Sequence, residues 1–368
     1  MKRYFLVVIK KRMLALIIFL GVIFMISTLD AKVDLAVTET SAQFKKGKFH
    51  NTPEIKMAGT SEMLGIIKRY ITEKRVDIAP KKAIPVTTHS KASLALLSDN
   101  ELHIVRLGHS SILLKVYGDY WLIDPVFSDR ASPFSFMGPK RFHAPPISLN
   151  ELPDLKAVLI SHNHYDHLDK ASIKILMDKT QMFYVPLGVK SDLVKWHVPK
   201  HKVQEFDWWQ EARISNTLIA FTPTQHFSGR GLTDGNKTLW GSWVIKTQHD
   251  SLYFSGDSGY YDGFKKIGEL YGPFDITMIE TGAYDRDWAD VHMTPEQSIQ
   301  AHLDLKGKVM MPVHNGTFDL AFHAWYDPFE KVIEKAKINN VQLTTPVIGQ
   351  VITSKSDVIE NFWWQEVM

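Results

Sequence analysis

The stretch Ser161-His162-Asn163-His164-Tyr165-Asp166-His167 sets three imidazoles and a carboxylate within six residues. It follows Ala157-Val158-Leu159-Ile160, an apolar run that reads as a buried strand. A loop leaving a strand end can turn several side chains toward one point, and imidazole with carboxylate suits zinc, iron or manganese. A histidine-rich polar loop with no metal is the bland alternative. Four ligand types directly after an apolar strand argue against it. A single tetrahedral ion would not take four ligands from one loop, because other segments normally contribute, so the pattern suggests two adjacent sites.

The rest of the shell is expected at other strand ends. His226 follows the run Leu218–Thr222, Asp257 follows Leu252–Ser255, and His314 follows Val309–Val313. Each alone would read as a solvated loop residue; their shared placement is the argument. Ligands carried on several strand ends of one scaffold give a rigid site with positions open to water. The chain has no cysteine, which removes thiolate ligands, disulfides and a cysteine nucleophile, and leaves sixteen histidines and the aspartates to hold any transition metal. Asp124 ends another buried strand and could orient a ligand histidine; a structural hydrogen-bonding aspartate is the competing reading. Arg230 lies close behind His226 and could clamp a phosphate; a solvated loop arginine is the competing reading.

The elements that must position these residues are short β-rich runs from Leu102 onward, among them Leu102–Leu107, Ile112–Val116, Tyr120–Ile123, Trp243–Thr247 and Ile276–Ile279. Helical patterns are interspersed at Lys170–Met177, Pro295–Leu303 and Phe329–Ala336. Strands first in meanders and then alternating with helices imply an α/β chain of two packed sheets with helices outside. Before it, residues 31–95 read as a connecting region with one helix, Met63–Glu73, so that the catalytic domain spans 96–368.

Residues 1–30 read as an anchor or signal segment. Lys10-Lys11-Arg12 precedes Met13–Leu29, which carries no charge. At roughly 17 residues this run is at the lower limit for crossing a bilayer, and no small-residue cleavage site follows it. The basic flank predicts a cytoplasmic N-terminus and an exported, periplasmic body, although Lys32, Lys45, Lys46 and Lys48 weaken that bias. The net charge is +3, and five positive residues fall in the first twelve, so the remaining chain carries −2. A near-neutral body argues against nucleic acid as the partner.

The loop His162–His167 followed by single His, Asp and His resembles the metallo-β-lactamase superfamily. Segments Gly108–Ser111, Leu122–Ser128, Arg130–Pro133, Met137–Phe142, Leu239–Trp243, Gly256–Tyr260 and His314–Phe318 resemble the N-acylphosphatidylethanolamine-hydrolysing phospholipases D and their bacterial relatives. The likeness covers about residues 100–330, in chain order. It implies a four-layer αββα sandwich and two zinc ions, with iron or manganese as alternatives. His162, His164 and His226 would hold one, Asp166, His167 and His314 the other, and Asp257 would bridge. Such a pair acidifies a shared water for attack on phosphorus. The catalytic set would be Asp166, Asp257 and His292, with His292 and Arg230 on the substrate; for His292, which precedes a capped helix start at Thr294-Pro295, a surface histidine is the alternative. The resemblance also implies a phospholipid substrate, a membrane surface as partner, and a homodimer. A lactone or β-lactam hydrolase of the same fold is the rival enzyme, since fold does not fix substrate. A non-catalytic metal-binding membrane protein is the rival of another class. It would be expected to lack a ligand, whereas all seven positions are filled.

Overall fold

The computed structural model describes residues 40–55, 59–355 and 360–368. The uncharged run Met13–Leu29, read as an anchor, lies outside the described residues, and among those no helix is long and apolar enough to cross a membrane.

A short hairpin, β1 (Phe44–Lys45) and β2 (Lys48–Phe49), precedes helices α1 (Thr60–Thr72) and α2 (Lys91–Ala95). Six strands then build the first sheet: β3 (Leu102–Gly108), β4 (Ser111–Val116), β5 (Asp119–Ile123), β6 (Leu155–Leu159), β7 (Thr180–Pro186) and β8 (Val203–Phe206), with α3 (Lys170–Leu176) and α4 (Val189–Lys195) between the later ones. Seven more build the second: β9 (Glu211–Ile214), β10 (Thr217–Thr222), β11 (Ser242–Lys246), β12 (Ser251–Phe254), β13 (Phe274–Glu280), β14 (Gly307–Val313) and β15 (Gln342–Leu343). Helices α5 (Gly263–Tyr271), α6 (Pro295–Asp304) and α7 (Asp327–Asn339) connect its later strands, and β16 (Val351–Thr353) returns to the first sheet beside β3. In each sheet one half is antiparallel and the other parallel, with β5 to β8 and β12 to β15 the parallel runs.

Burial explains the layering. Alternate residues of β4 and β6 (Ile112, Leu114, Ala157, Leu159) face a core between the sheets that also holds Trp121, Phe221, Trp243 and Phe254. Their neighbours Leu113 and Val158 face outward into a second cluster closed by Ile173, Leu176 and Leu193 of α3 and α4. A third cluster packs Phe264, Ile267, Ile299 and Val332 of α5, α6 and α7 on the far sheet. Strands covered on both faces read as continuous apolar runs, which is why β6 and β12 are so plain in the sequence. The result is the expected order of helices, sheet, sheet, helices.

The segment read as a connecting region is stitched to this body. Phe49 of β2 is fully buried in the inter-sheet core. The backbone N–H of Lys81 donates to Val367, and Val86 bridges to Ile348. Near the C-terminus, Trp363 and Trp364 are buried against Phe329 of α7, so this aromatic pair belongs to the core.

Candidate metal centre

The C-terminal ends of the central strands of both sheets meet at one edge of the sandwich. The end of β6 delivers Ser161 to His167, and the end of β10 leads to His226. Three adjacent strands, β12, β13 and β14, bring Asp257, Glu280 and His314 side by side. Two bonds clamp the sheets here: Trp243 Nε1 donates to the Ile160 carbonyl at 2.9 Å, and the Gly241 N–H to Ser161 at 3.0 Å. Gly256 sits at φ +56°, where a Cβ would stand 2.7 Å from the Gly241 carbonyl and 2.8 Å from Ser161, so only glycine lets Asp257 approach this closely.

The seven predicted ligands converge. His164 Nδ1 lies 2.9 Å from His162 Nε2 and 3.3 Å from His226 Nε2. Asp257 Oδ2 lies 3.7 and 3.8 Å from the Nε2 atoms of His162 and His226. On the other side, Asp166 Oδ2 is 3.2 Å from His314 Nε2 and 3.7 Å from His167 Nε2. Asp257 reaches that set too, at 3.2 Å from His167 and 3.1 Å from His314, and so stands between the two groups.

The hydrogen bonds behind the rings fix which nitrogen faces the centre. Ser161 Oγ donates to Asp124 at 2.5 Å and therefore accepts from His162 Nδ1 at 2.9 Å. His226 Nδ1 donates to the Val291 carbonyl at 3.0 Å, and His167 Nδ1 to Asp124 at 2.7 Å. The tautomers of His162 and His226 therefore turn Nε2 lone pairs toward Nδ1 of His164. A proton on His164 Nδ1 can serve only one of the two Nε2 atoms well, whereas a cation serves all three nitrogens. His167 Nε2 and Asp257 Oδ1 are buried and face each other at 3.2 Å without a well-aligned hydrogen bond to each other or to any other group. Buried polar atoms so placed among nitrogen and carboxylate donors fit divalent metal, and acceptors behind ligating imidazoles are the usual arrangement.

The electrostatics agree. Burial drives His162 and His226 well below the ordinary imidazole value, and His164 to about 4, so all three are in the neutral, ligating form at pH 7. Burial also opposes charge on His167 and His314, but the charges of Asp257 and Asp166 outweigh it. His167 is held well above its usual value and His314 at about 10. These two carboxylates thus attract whatever positive charge is at hand.

The cluster forms one end of a cavity of about 460 Å³ that His292 also lines, together with Met63, Ile66, Phe227, Trp288 and Leu320. Arg230, a candidate phosphate clamp, lies elsewhere. Its Nη1 donates to the carbonyls of Asn163 and Leu168, each at 2.7 Å, and its guanidinium stacks 4.0 Å from the Tyr165 ring at a separate cavity of about 670 Å³. It therefore staples the two ends of the ligand loop rather than facing the metal ligands.

Three residues join the site that the ligand pattern does not mark. His109, at φ +53° in the turn between β3 and β4, is buried with Nε2 3.0 Å from Asp166 Oδ2. Asn51, after β2, brackets His226: its Nδ2 donates to the His226 carbonyl at 2.7 Å and its Oδ1 accepts the His226 N–H at 3.0 Å. Glu280 closes β13. The end of every parallel strand near the site carries chemistry, which is the signal that would have found Glu280; His109 appears in the sequence only within the Gly108–Ser111 resemblance.

A family model described as the beta-lactamase superfamily domain matches residues 120–315, more than half of the chain. The chain belongs to the metallo-β-lactamase superfamily. It is a metal-dependent hydrolase of that fold, which implies divalent metal ions at the His/Asp clusters. An uncharacterised protein of Mycobacterium tuberculosis is 37% identical over 341 residues, 91% of each chain. The N-acyl-phosphatidylethanolamine-hydrolyzing phospholipase D 1 of Caenorhabditis elegans is 32% identical over 336 residues, 85% of this chain and 94% of the relative. Among solved structures, Igni18, a metallo hydrolase of Ignicoccus hospitalis, superposes with a TM-score of 0.54 at 22% identity over 70% of this chain and 99% of its own, a likeness of fold alone.

Proposed function

We propose that the protein is a phosphodiesterase of phospholipase D type that hydrolyses N-acylphosphatidylethanolamine-like lipids with two zinc ions per chain. The observation that carries this reading is the cavity: a largely apolar pocket ends on the His/Asp centre and is large enough to take part of an acyl chain. The name of the nematode relative supplies the lipid class.

His162, His164 and His226 would hold one ion, Asp166, His167 and His314 the other, and Asp257 both. When bound, two such ions supply an acidified water and offset charge on phosphoryl oxygens. Net reaction adds water oxygen to phosphorus and breaks the bond from phosphorus to the ethanolamine oxygen, giving phosphatidic acid and an N-acylethanolamine. The protein's own parts are positional. Asp124 and Ser161 fix the imidazole tautomers, Arg230 holds the ligand loop, and Met63 and Ile66 of α1 line the cavity with apolar surface. His292 stands on that wall, placed to give a proton to the departing ethanolamine oxygen.

We place the enzyme at the inner membrane, held by residues 1–30 with its body on the periplasmic side, where tethering raises the local concentration of lipid. A homodimer belongs to the same proposal. The test is digestion of N-acylphosphatidylethanolamine and of plain phosphatidylethanolamine by the purified protein, with products read by mass spectrometry. Clear preference for the N-acylated lipid, abolished by chelation and restored by zinc, is expected. Equal rates would keep the phosphodiesterase and reject the named substrate. Lactone or β-lactam hydrolysis with no phospholipid turnover would overturn the reading.

A further inference from the structure

Glu280 is a fully buried carboxylate with no arginine or lysine paired to it among the described residues. Such a group is costly to bury and is rarely kept for packing alone. It stands on β13 between β12 and β14, the strands whose ends carry Asp257 and His314. Its backbone is fixed on both sides, because its N–H donates to Ser255 Oγ at 2.9 Å and its carbonyl accepts from Ser298 Oγ at 2.8 Å. One carboxylate oxygen, Oε1, accepts the Met293 N–H at 2.7 Å; the other, Oε2, is buried without a partner.

The group it faces is His292. Nδ1 of that imidazole is 3.5 Å from Glu280 Oε1, and it too is buried with no hydrogen-bond partner. Nδ1 has no other partner, and Oε1, which spends one lone pair on the Met293 N–H, keeps a second for it; the pair is a hydrogen bond left slightly long, which is common for catalytic pairs before substrate is bound. The same ring lines the cavity, and its centroid is 5.1 Å from that of His226 and 5.3 Å from that of His314. We infer that Glu280 is a positioning residue that accepts the Nδ1–H of His292 and so points Nε2 of that imidazole into the cavity, toward the reacting group. This is the carboxylate–imidazole logic of a nucleophile's base turned to the service of a leaving group. Direct ligation of a metal by His292 is the competing arrangement, since one nitrogen of His292 lies within 4.8 Å of ligand atoms on Asp257 and His314.

The catalytic part of this inference rests on the hydrolase reading above, whereas the tautomer does not. The test therefore has two arms on the full-length, zinc-loaded protein. In the first, nitrogen NMR of the wild type and of the His292→Gln assignment control should show His292 carrying a proton on Nδ1. In Glu280→Leu that proton should no longer be held on Nδ1, because no acceptor then faces it; Gln would not serve, since the Met293 N–H would keep its amide oxygen in place of Oε1. In the second arm, Glu280→Leu should lower kcat on N-acylphosphatidylethanolamine micelles by about 10²–10⁴-fold, with KM and zinc content little changed, and Glu280→Asp should recover part of the loss. A bare Nδ1 in the wild type overturns the inference, as does Glu280→Leu with wild-type kcat. Loss of zinc from Glu280→Leu with no recovery in Glu280→Asp would make the residue structural. If Glu280→Leu does not fold, the wild-type tautomer decides. If the wild type leaves the lipid untouched, the substrate proposal fails and the NMR arm still judges Glu280.

Discussion

Asp124 shows how much of the centre is set one shell behind the ligands. It is wholly buried, and Oδ2 accepts from both Ser161 Oγ and His167 Nδ1 while Oδ1 accepts the Ser161 N–H at 2.7 Å. One carboxylate thus determines the tautomer of His167 directly and that of His162 through Ser161. Asn keeps either the acceptor shared by Ser161 Oγ and His167 Nδ1 or the acceptor of the Ser161 N–H, but not both, so the ligand loop loses a backbone anchor or His167 changes tautomer. Asp124→Asn is expected to weaken metal binding by about 10–100-fold, measured by competition with a chromophoric chelator. Unchanged affinity with full zinc content would show that the ligand rings stand without it. At this scale the sequence was most legible where residue type alone carries meaning. The imidazoles and carboxylates of 162–167 announce themselves, and Asp124 is marked by its place after Tyr120–Ile123. Arg230 was not legible: an arginine near a metal loop suggests a phosphate clamp, but whether its guanidinium turns to the cavity or to the carbonyls of Asn163 and Leu168 is settled only by tertiary contacts.

Elements were legible in proportion to how fully they are buried. The parallel strands β6, β12 and β14 are covered on both faces and stand out as apolar runs; β9, with burial confined to Ala212 in part and Ile214, and the two-residue strands β1 and β2 carry no such pattern. Helix α5 does carry a helical stripe in Phe264, Ile267 and Tyr271, with Lys265 and Lys266 on the other face, but Gly263 and Gly268 lower its helix propensity and blur it in the sequence. Helix α1 was foreseen, but its place beside the site was not. Arg69 fixes it there by pairing with Asp285 at 2.6 Å and with Asp287, while its guanidinium lies 4.0 Å from the Phe322 ring and Glu73, at the end of the same helix, holds it from behind at 2.8 Å. Asp285 and Asp287 belong to the 283–292 loop that forms much of the cavity wall. Arg69→Ala should release α1 from that wall. Amide exchange across residues 60–72 is expected to speed up by about tenfold or more, as for an element held by few contacts, with β6 and β12 unaffected and zinc content unchanged. Exchange rates in α1 equal to wild type would mean that Met63 and Ile66 hold the helix without the ion pairs.

For the whole molecule the informative boundary is the one at the N-terminal side. The change in pattern near residue 96 reads as the start of the catalytic domain, because regular β-rich runs begin there. The structure nevertheless draws earlier residues into the body: Phe49 fills the core between the sheets, Asn51 holds both backbone groups of His226, a candidate metal ligand, and Arg75 pairs with Asp319. A lone phenylalanine and a lone asparagine in a basic, irregular stretch give no periodic signal, so their contribution emerges only when distant segments meet. Two truncations separate the proposed anchor from this structural role. Deleting residues 1–30 removes the uncharged run and is expected to move the protein from the membrane pellet to the soluble fraction with its metal content and its thermal midpoint intact. Deleting residues 1–55 removes Phe49 and Asn51 as well. Loss of a buried phenylalanine costs about 3–5 kcal/mol, and leaving the His226 N–H and carbonyl buried without partners adds about 1–3 kcal/mol for each. Against a net stability of about 5–15 kcal/mol, that is a large share, and it falls directly on a ligand. The longer deletion should therefore lower the thermal midpoint by at least about 10 °C and bind zinc below the full complement, read by calorimetry and by metal analysis on the same preparation. If it keeps both metals and melts with the shorter truncation, the hairpin segment is an ornament and the metal centre is complete without residues 31–55.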